Sequence, residues 1–204
     1  MGNKAVFLDR DGTLVHPRHY PSRAEDLVLY RGLPEEMRIL QQMGFKLVVI
    51  TNQGGIAHGY FTERDLELMH TSLQDQLSEF GVRIDAFYYC PHHPEGNLAH
   101  LACECECRKP KPGMILQAAK DMNLDLSSSW MVGDILNDVE AGRKAGCKTI
   151  LVDLGTESKP SSPDRTPDYV ARTTKHALQI IQSLEGQRKD VDLDYIPSSW
   201  KAAV

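Results

Sequence analysis

Val6-Phe7-Leu8-Asp9-Arg10-Asp11-Gly12-Thr13 is the stretch around which the chain is read. Ala5 to Leu8 is an unbroken apolar run of strand length, as expected for a buried strand. It stops at two carboxylates one residue apart, followed by Gly-Thr. Side chains alternate between faces along a strand, so Asp9 and Asp11 share a face unless the backbone turns between them. Two acids at the end of a buried strand repel each other and are costly to desolvate, and a divalent cation or a shared proton offsets that cost. An Asp-Gly turn after a strand is common in itself, so the rest of the chain has to decide.

The totals narrow the classes. A chain of 204 residues with 41% hydrophobic content can bury a proper core. Residues 1–184 read as one catalytic domain and 185–204 as a polar, mobile tail, in which Tyr195, Ile196 and Trp200 are the side chains able to dock. The formal charge of −5 argues against nucleic acid or an anionic membrane as partner. No apolar run approaches the roughly 18 residues of a membrane span. The run from Ala5 meets Asp9 too soon for a signal peptide. Five cysteines, an odd number, fit a reducing cytoplasm better than a disulfide framework. A cytoplasmic protein is therefore expected, and, with no room in the chain for a bulky cap, a monomer.

Outward from the opening stretch, apolar runs and amphipathic segments alternate. His16 to Arg23 is a basic loop without an acid, expected to overhang the pocket. Pro34 and two acids open a helix with Leu33, Met37, Leu40 and Met43 on one stripe, and Gly44 closes it. Phe45 to Ile50 reads as a strand running into Thr51-Asn52-Gln53-Gly54-Gly55, a polar turn suited to cradling an oxyanion. Thr62 caps a helix whose inward face is Leu66, Met69, Leu73, Leu77 and Phe80. Ala86 to Tyr89, Trp130 to Val132, Thr149 to Val152 and Tyr169-Val170 are further strands. Helices are expected from Pro112 to Met122, Asn137 to Ala145 and Lys175 to Leu184. Strands alternating with helices predict an α/β fold with a doubly wound, mainly parallel, Rossmann-like sheet. Ligands bind such sheets at the carboxyl ends of strands, near the switch point. Asp9/Asp11, Thr51/Asn52 and Asp134/Asp138 all fall at that edge.

Those clusters can transfer a phosphoryl group. Asp9 and Asp134 can hold Mg²⁺, which keeps some waters and takes a phosphate oxygen. Asp9 can then attack phosphorus, Asp11 can exchange protons with the leaving oxygen and with water, and Thr51 can donate to the phosphoryl oxygens. A lysine is needed against the remaining charge. Arg108-Lys109-Pro110-Lys111-Pro112 offers two, with Asp138 placed to hold one of them.

The ordered set Asp-Arg-Asp-Gly-Thr, strand-end Thr, Lys and Gly-Asp-x-x-x-Asp, spread over about Lys4 to Leu184, resembles the haloacid dehalogenase-like (HAD) phosphatases. The resemblance implies Asp9 as nucleophile and Asp11 as acid/base. It implies Thr51 and Lys109 as phosphoryl binders, and Asp9, the Asp11 carbonyl and Asp134 around Mg²⁺. Lys109 is preferred over Lys111 by its position in the family's Arg-Lys-Pro.

A second constellation narrows the family. Tyr89-Cys90-Pro91-His92-His93-Pro94 is followed by Cys103-Glu104-Cys105-Glu106-Cys107-Arg108. Cys90, His92, Cys105 and Cys107 make a closed, structural zinc set that replaces a core in the loop and pins Arg108 and Lys109. Cys147 reads as an ordinary buried thiol. With Thr51 to Ala57 and the Cys-Arg-Lys-Pro-x-Pro-Gly-Met run, the loop resembles the D-glycero-D-manno-heptose 1,7-bisphosphate 7-phosphatase family. It departs at Cys103, an extra thiol, and at His58, where that family usually carries Arg. The resemblance implies a sugar bisphosphate substrate, with Arg18, His19, Tyr20, Asn52, Gln53 and Arg108 as candidate contacts. A histidinol-phosphate phosphatase, which shares the zinc loop, and more remotely a phospho-accepting signalling domain, are the alternatives. No stretch has room for a large cap domain, so loops are expected to shape the site.

Overall fold

The computed structural model describes residues 2–201. The strands are β1 (Ala5–Leu8), β2 (Lys46–Asn52), β3 (Ala86–Cys90), β4 (Trp130–Gly133), β5 (Lys148–Val152) and β6 (Tyr169–Ala171). The helices are α1 (Leu33–Gln42), α2 (Glu63–Ser78), α3 (Gly113–Met122), α4 (Leu136–Ala145) and α5 (Thr174–Leu184). The strands form one sheet in the order β3-β2-β1-β4-β5-β6, every neighbouring pair parallel.

The pleat of β1 explains the two layers of helices. Val6 and Leu8 face a core filled by Leu33, Met37 and Leu40 of α1, Leu66, Met69, Leu73 and Leu77 of α2, and Leu178 and Ile181 of α5. Ala5 and Phe7 face the opposite core, closed by Met114, Ile115 and Ala118 of α3 and by Ala141 and Ala145 of α4. A strand covered on both sides has no polar face to show, hence its unbroken apolar run.

The chain leaves β1 toward β2 on one side and returns to β4 on the other. The gap between β1 and β4 is therefore the switch point of the sheet. Register does the rest. Leu8 is level with Val132 of β4 and Val49 of β2, so Asp9 and Asp134 emerge side by side and Thr51 rises beyond them. The segments flanking this edge are a loop with one 3-10 turn (Ala24–Asp26), α2 and the Cys/His loop, and no large cap is present among the described residues.

Four expectations are corrected or sharpened. β2 runs on through Asn52 because Thr51 and Asn52 pair with Tyr89 and Cys90 of β3, so both are strand residues rather than turn residues. Phe80 lies beyond the end of α2 and is 45% exposed, since the helix stops at Ser78 before its inward stripe reaches that ring. The third concerns the tail: two of its three side chains expected to be able to dock do so. Tyr195 and Trp200 pack on Leu136, Val139, Leu151 and Val170, the Tyr195 hydroxyl donates to Asp153 Oδ2 at 2.7 Å, and Trp200 Nε1 donates to the Glu157 carbonyl at 3.1 Å. Ile196 stays exposed. The fourth concerns the basic loop: Arg18 is ion-paired with Asp26 at 3.0 Å, an acid just past the stretch read as basic.

Candidate active site

Lys109 is the centre of the site. Its side chain is 2% exposed, and its ammonium lies 2.6 Å from Asp9 Oδ1, 2.6 Å from Asp138 Oδ1 and 2.9 Å from the Ile50 carbonyl oxygen. A buried ammonium persists only when paired, and three oxygens surround this one. Its charge is favoured beyond that of an ordinary lysine: burial opposes it, and Asp138 and Asp9 outweigh burial. Lys111 is outside, paired with Glu106 on the surface. The Lys109 backbone is held as well. Asn52 Nδ2 donates to its carbonyl at 3.1 Å, and its N–H donates to Asn52 Oδ1 at 3.0 Å.

Asp9, Asp134 and Asp138 each offer an oxygen within 4.8 Å of the others. Burial, first of all, pushes Asp9 up to about 7 against the pull of Lys109, with Asp138 and Asp11 adding to the rise. Burial, then Asp9 and Asp138, push Asp134 up to about 8. Thr13 Oγ1 donates to Asp134 Oδ1 at 3.2 Å. One lysine does not balance three acids in so dry a space, and a divalent cation beside Asp9 and Asp134 would reverse both shifts. Gly12 makes the close approach possible. Its φ of +89° is left-handed, and a Cβ there would strike the Asp134 carboxylate.

Asp11 is held differently. Arg10 Nε and Nη2 donate to its Oδ2 at 3.1 and 2.7 Å, and Gln53 Nε2 donates to the same oxygen at 3.0 Å. Oδ1 is buried and has no partner among the described residues. The other end of the Gln53 amide accepts from Arg10 Nη2 at 3.0 Å, and its nitrogen also lies 2.8 Å from Thr51 Oγ1.

The Cys/His loop forms a second centre. Cys90, Cys105 and Cys107 place their sulfurs 3.2–3.4 Å apart, and His92 Nδ1 lies 3.6 Å from Cys90 Sγ and 3.4 Å from Cys107 Sγ. Four donors, three thiols and one imidazole, lie within 4.8 Å of one another and could hold a metal in tetrahedral geometry. Cys103 is exposed and stands apart. Cys147 is buried, and burial pushes its thiol up to about 12. The tetrad reaches the active site through its backbone: Arg108 Nη1 donates to the His92 carbonyl at 3.0 Å.

The remaining expected substrate contacts divide. Tyr20 lies against the Gln53-Gly54-Gly55 turn, its ring 5.0 Å from that of Tyr60 and 5.7 Å from that of His58, with His19 on its edge. Arg108 borders Gly54. Arg18 points to Asp26, while Asn52 and Gln53 spend their amides inside the protein. Arg10 and His93 were not anticipated. His93 packs 4.7 Å from His58 and borders Gly54 beside Arg108. Arg10 is fully buried, and a charge set between two acids at the end of a buried strand was the available signal.

With this geometry in view, the comparisons are specific. A HAD-hydrolase-like family model matches residues 106–177. D-glycero-beta-D-manno-heptose-1,7-bisphosphate 7-phosphatase of Haemophilus ducreyi is 46% identical over 157 residues, 76% of this chain and 86% of that protein. The chain belongs to the heptose-1,7-bisphosphate 7-phosphatase family of HAD-like hydrolases. Two solved structures share the fold of this phosphatase family member. A putative HAD-like phosphatase from Mesorhizobium loti aligns with a TM-score of 0.79 at 34% identity, covering 93% of this chain and 89% of that one. D,D-heptose 1,7-bisphosphate phosphatase from B. bronchiseptica, complexed with magnesium and phosphate, aligns with a TM-score of 0.74 at 29% identity, covering 88% and 99%.

Proposed function

We propose that this phosphatase removes the 7-phosphate of D-glycero-D-manno-heptose 1,7-bisphosphate and leaves the 1-phosphate. The observation that carries the chemistry is the grouping of Asp9, Lys109 and Asp134 at the carboxyl ends of β1 and β4. The substrate follows from the names of relatives such as the Haemophilus ducreyi enzyme.

Asp9, the Asp11 carbonyl and Asp134 would hold Mg²⁺, which when bound neutralises phosphate charge and keeps the acids ionised. Asp9 attacks phosphorus with a carboxylate oxygen and becomes an aspartyl phosphate. Asp11 protonates the departing sugar oxygen, then takes a proton from the water that hydrolyses the intermediate. Thr51 and Lys109 donate to the phosphoryl oxygens, and Asp138 holds the lysine in place. Cys90, His92, Cys105 and Cys107 would hold a structural Zn²⁺, fixing the His92 carbonyl and through it Arg108. Arg108 is then free to meet the second phosphate, a task suited to its planar fork. Histidinol phosphate brings an amine and an imidazole, which this rim of Arg108, His58 and His93 does not match.

A turnover screen over sugar bisphosphates, sugar monophosphates and histidinol phosphate with Mg²⁺ tests the reading, with the heptose bisphosphate expected fastest. Asp9→Asn should be inactive. Arg108→Ala should cost the bisphosphate roughly 1–3 kcal/mol more than a monophosphate, the scale of a lost charged hydrogen bond. Faster turnover of histidinol phosphate overturns the substrate.

A further inference from the structure

We infer that Arg10 and Gln53 form a buried clamp that positions Asp11 for proton transfer and assigns the mobile proton to Asp11 Oδ1. This rests on Asp11 being the acid/base. Three N–H donors, two from Arg10 and one from Gln53, converge on Asp11 Oδ2 at 2.7–3.1 Å. An oxygen that accepts three hydrogen bonds is a poor place for a proton. Oδ1 is buried and has no partner among the described residues, so it is the Asp11 oxygen not committed to a hydrogen bond there. A proton on Oδ1 leaves Oδ2 carbonyl-like, with its donors still satisfied. The clamp therefore need not rearrange between the acid and base steps, the preorganisation that lowers the cost of reaction.

The clamp is also rigid. Arg10 is fully buried and Gln53 is 3% exposed. The Gln53 amide ties Arg10, Asp11 and Thr51 into one network, so the proton-transfer group and a phosphoryl-binding hydroxyl keep a fixed spacing. Arg10 lies on the loop after β1 and Gln53 follows β2, and the pairing of those two strands sets their distance. In the first step the Asp11 Oδ1–H bond breaks as the sugar oxygen leaves phosphorus and takes the proton, while the Asp9–phosphorus bond forms. In the second, water gives its proton back to Oδ1 and its oxygen to phosphorus, and Asp9 is released. Arg10 and Gln53 touch no reacting atom in either step. They are positioning residues.

The test exploits the leaving group. An alkyl phosphate expels a strongly basic alkoxide and needs the acid, whereas 4-nitrophenyl phosphate expels a stable phenolate and does not. In wild type, Asp11→Asn, Gln53→Met and the double variant, kcat is measured on an alkyl phosphate and on 4-nitrophenyl phosphate with Mg²⁺. Gln53→Met should lose about tenfold or more on the alkyl phosphate, part of the ~10²–10⁴ range of general acid–base catalysis, and about threefold or less on the aryl one. Arg10→Lys, which keeps the charge but not the fork, should follow the same pattern. Added to Asp11→Asn, Gln53→Met should cost little more, since groups acting as one unit are non-additive. Equal losses on both substrates, or additive losses in the double variant, overturn the clamp. If Asp11→Asn itself shows no leaving-group dependence, the acid/base reading fails instead, and the two outcomes are distinguishable.

Discussion

Replacing Lys109 with Met removes a buried cation and leaves Asp9 and Asp138 facing each other without it. The ammonium sits 2.6 Å from both, in a side chain only 2% exposed. Breaking a buried pair by removing one partner costs about 3–5 kcal/mol, because the abandoned charge stays in a dry site. In a domain of this size each kcal/mol shifts Tm by about 2–4 °C, so Lys109→Met should melt roughly 6–20 °C below wild type at pH 8 in Mg²⁺-free buffer. The sign with pH follows from Asp9. Its carboxyl lies at about 7 in the folded protein against 3.8 unpaired, chiefly through burial. A raised acid is folded at no electrostatic cost below about pH 4, and its full ionisation penalty is present above about pH 7. Without Lys109 the rise is larger, so the folded variant binds more protons than the unfolded chain and its stability falls more steeply as pH rises. Wild type shifts in the same direction but less steeply, because Lys109 holds down the rise of Asp9. The gap between the two melting temperatures should therefore shrink from pH 8 to pH 5, as read by circular dichroism or differential scanning calorimetry. A gap that is constant with pH, or a variant as stable as wild type at pH 8, would refute the account of Lys109 as the cation that offsets two buried acids.

Two further predictions concern the metals. Mg²⁺ should raise the wild-type Tm more at pH 8 than at pH 5, because Asp134 and Asp9, pushed up to about 8 and about 7 chiefly by burial, are neutral at the lower pH and poor ligands there; an equal gain at both, measured calorimetrically, counts against a cation at these acids. Protein purified without chelator should carry about one zinc per chain by elemental analysis, and Cys107→Ser should lower zinc content and kcat/KM together by freeing the His92 carbonyl that holds Arg108; zinc-free wild type, or an unaltered Cys107→Ser, contradicts it.

Much of the molecule was legible in the sequence for physical reasons. β1 buries both faces, so its residues had to be apolar throughout, and the sudden acids marked its carboxyl end. The strand–helix alternation admits essentially one sheet architecture. In that architecture Asp9, Thr51 and Asp134 share an edge because parallel strands all end there. The density of Cys and His from Cys90 to Cys107 pointed to a metal set, and four of those side chains do converge. Hydrogen-bond partners were another matter, because they depend on chain segments far apart in sequence. Arg10 and Gln53 are 43 residues apart, and Asn52 and Lys109 are 57. The tail reads as polar, yet Tyr195 and Trp200 find an apolar floor made by α4, β5 and β6. The sequence by itself determined which residues had to be buried and which chemistry could gather at the sheet edge, since burial pattern and residue type are local properties. Only the tertiary structure decided which amides and charges face the substrate and which are consumed within the protein, because a buried donor's commitment depends on the acceptor that folding brings to it.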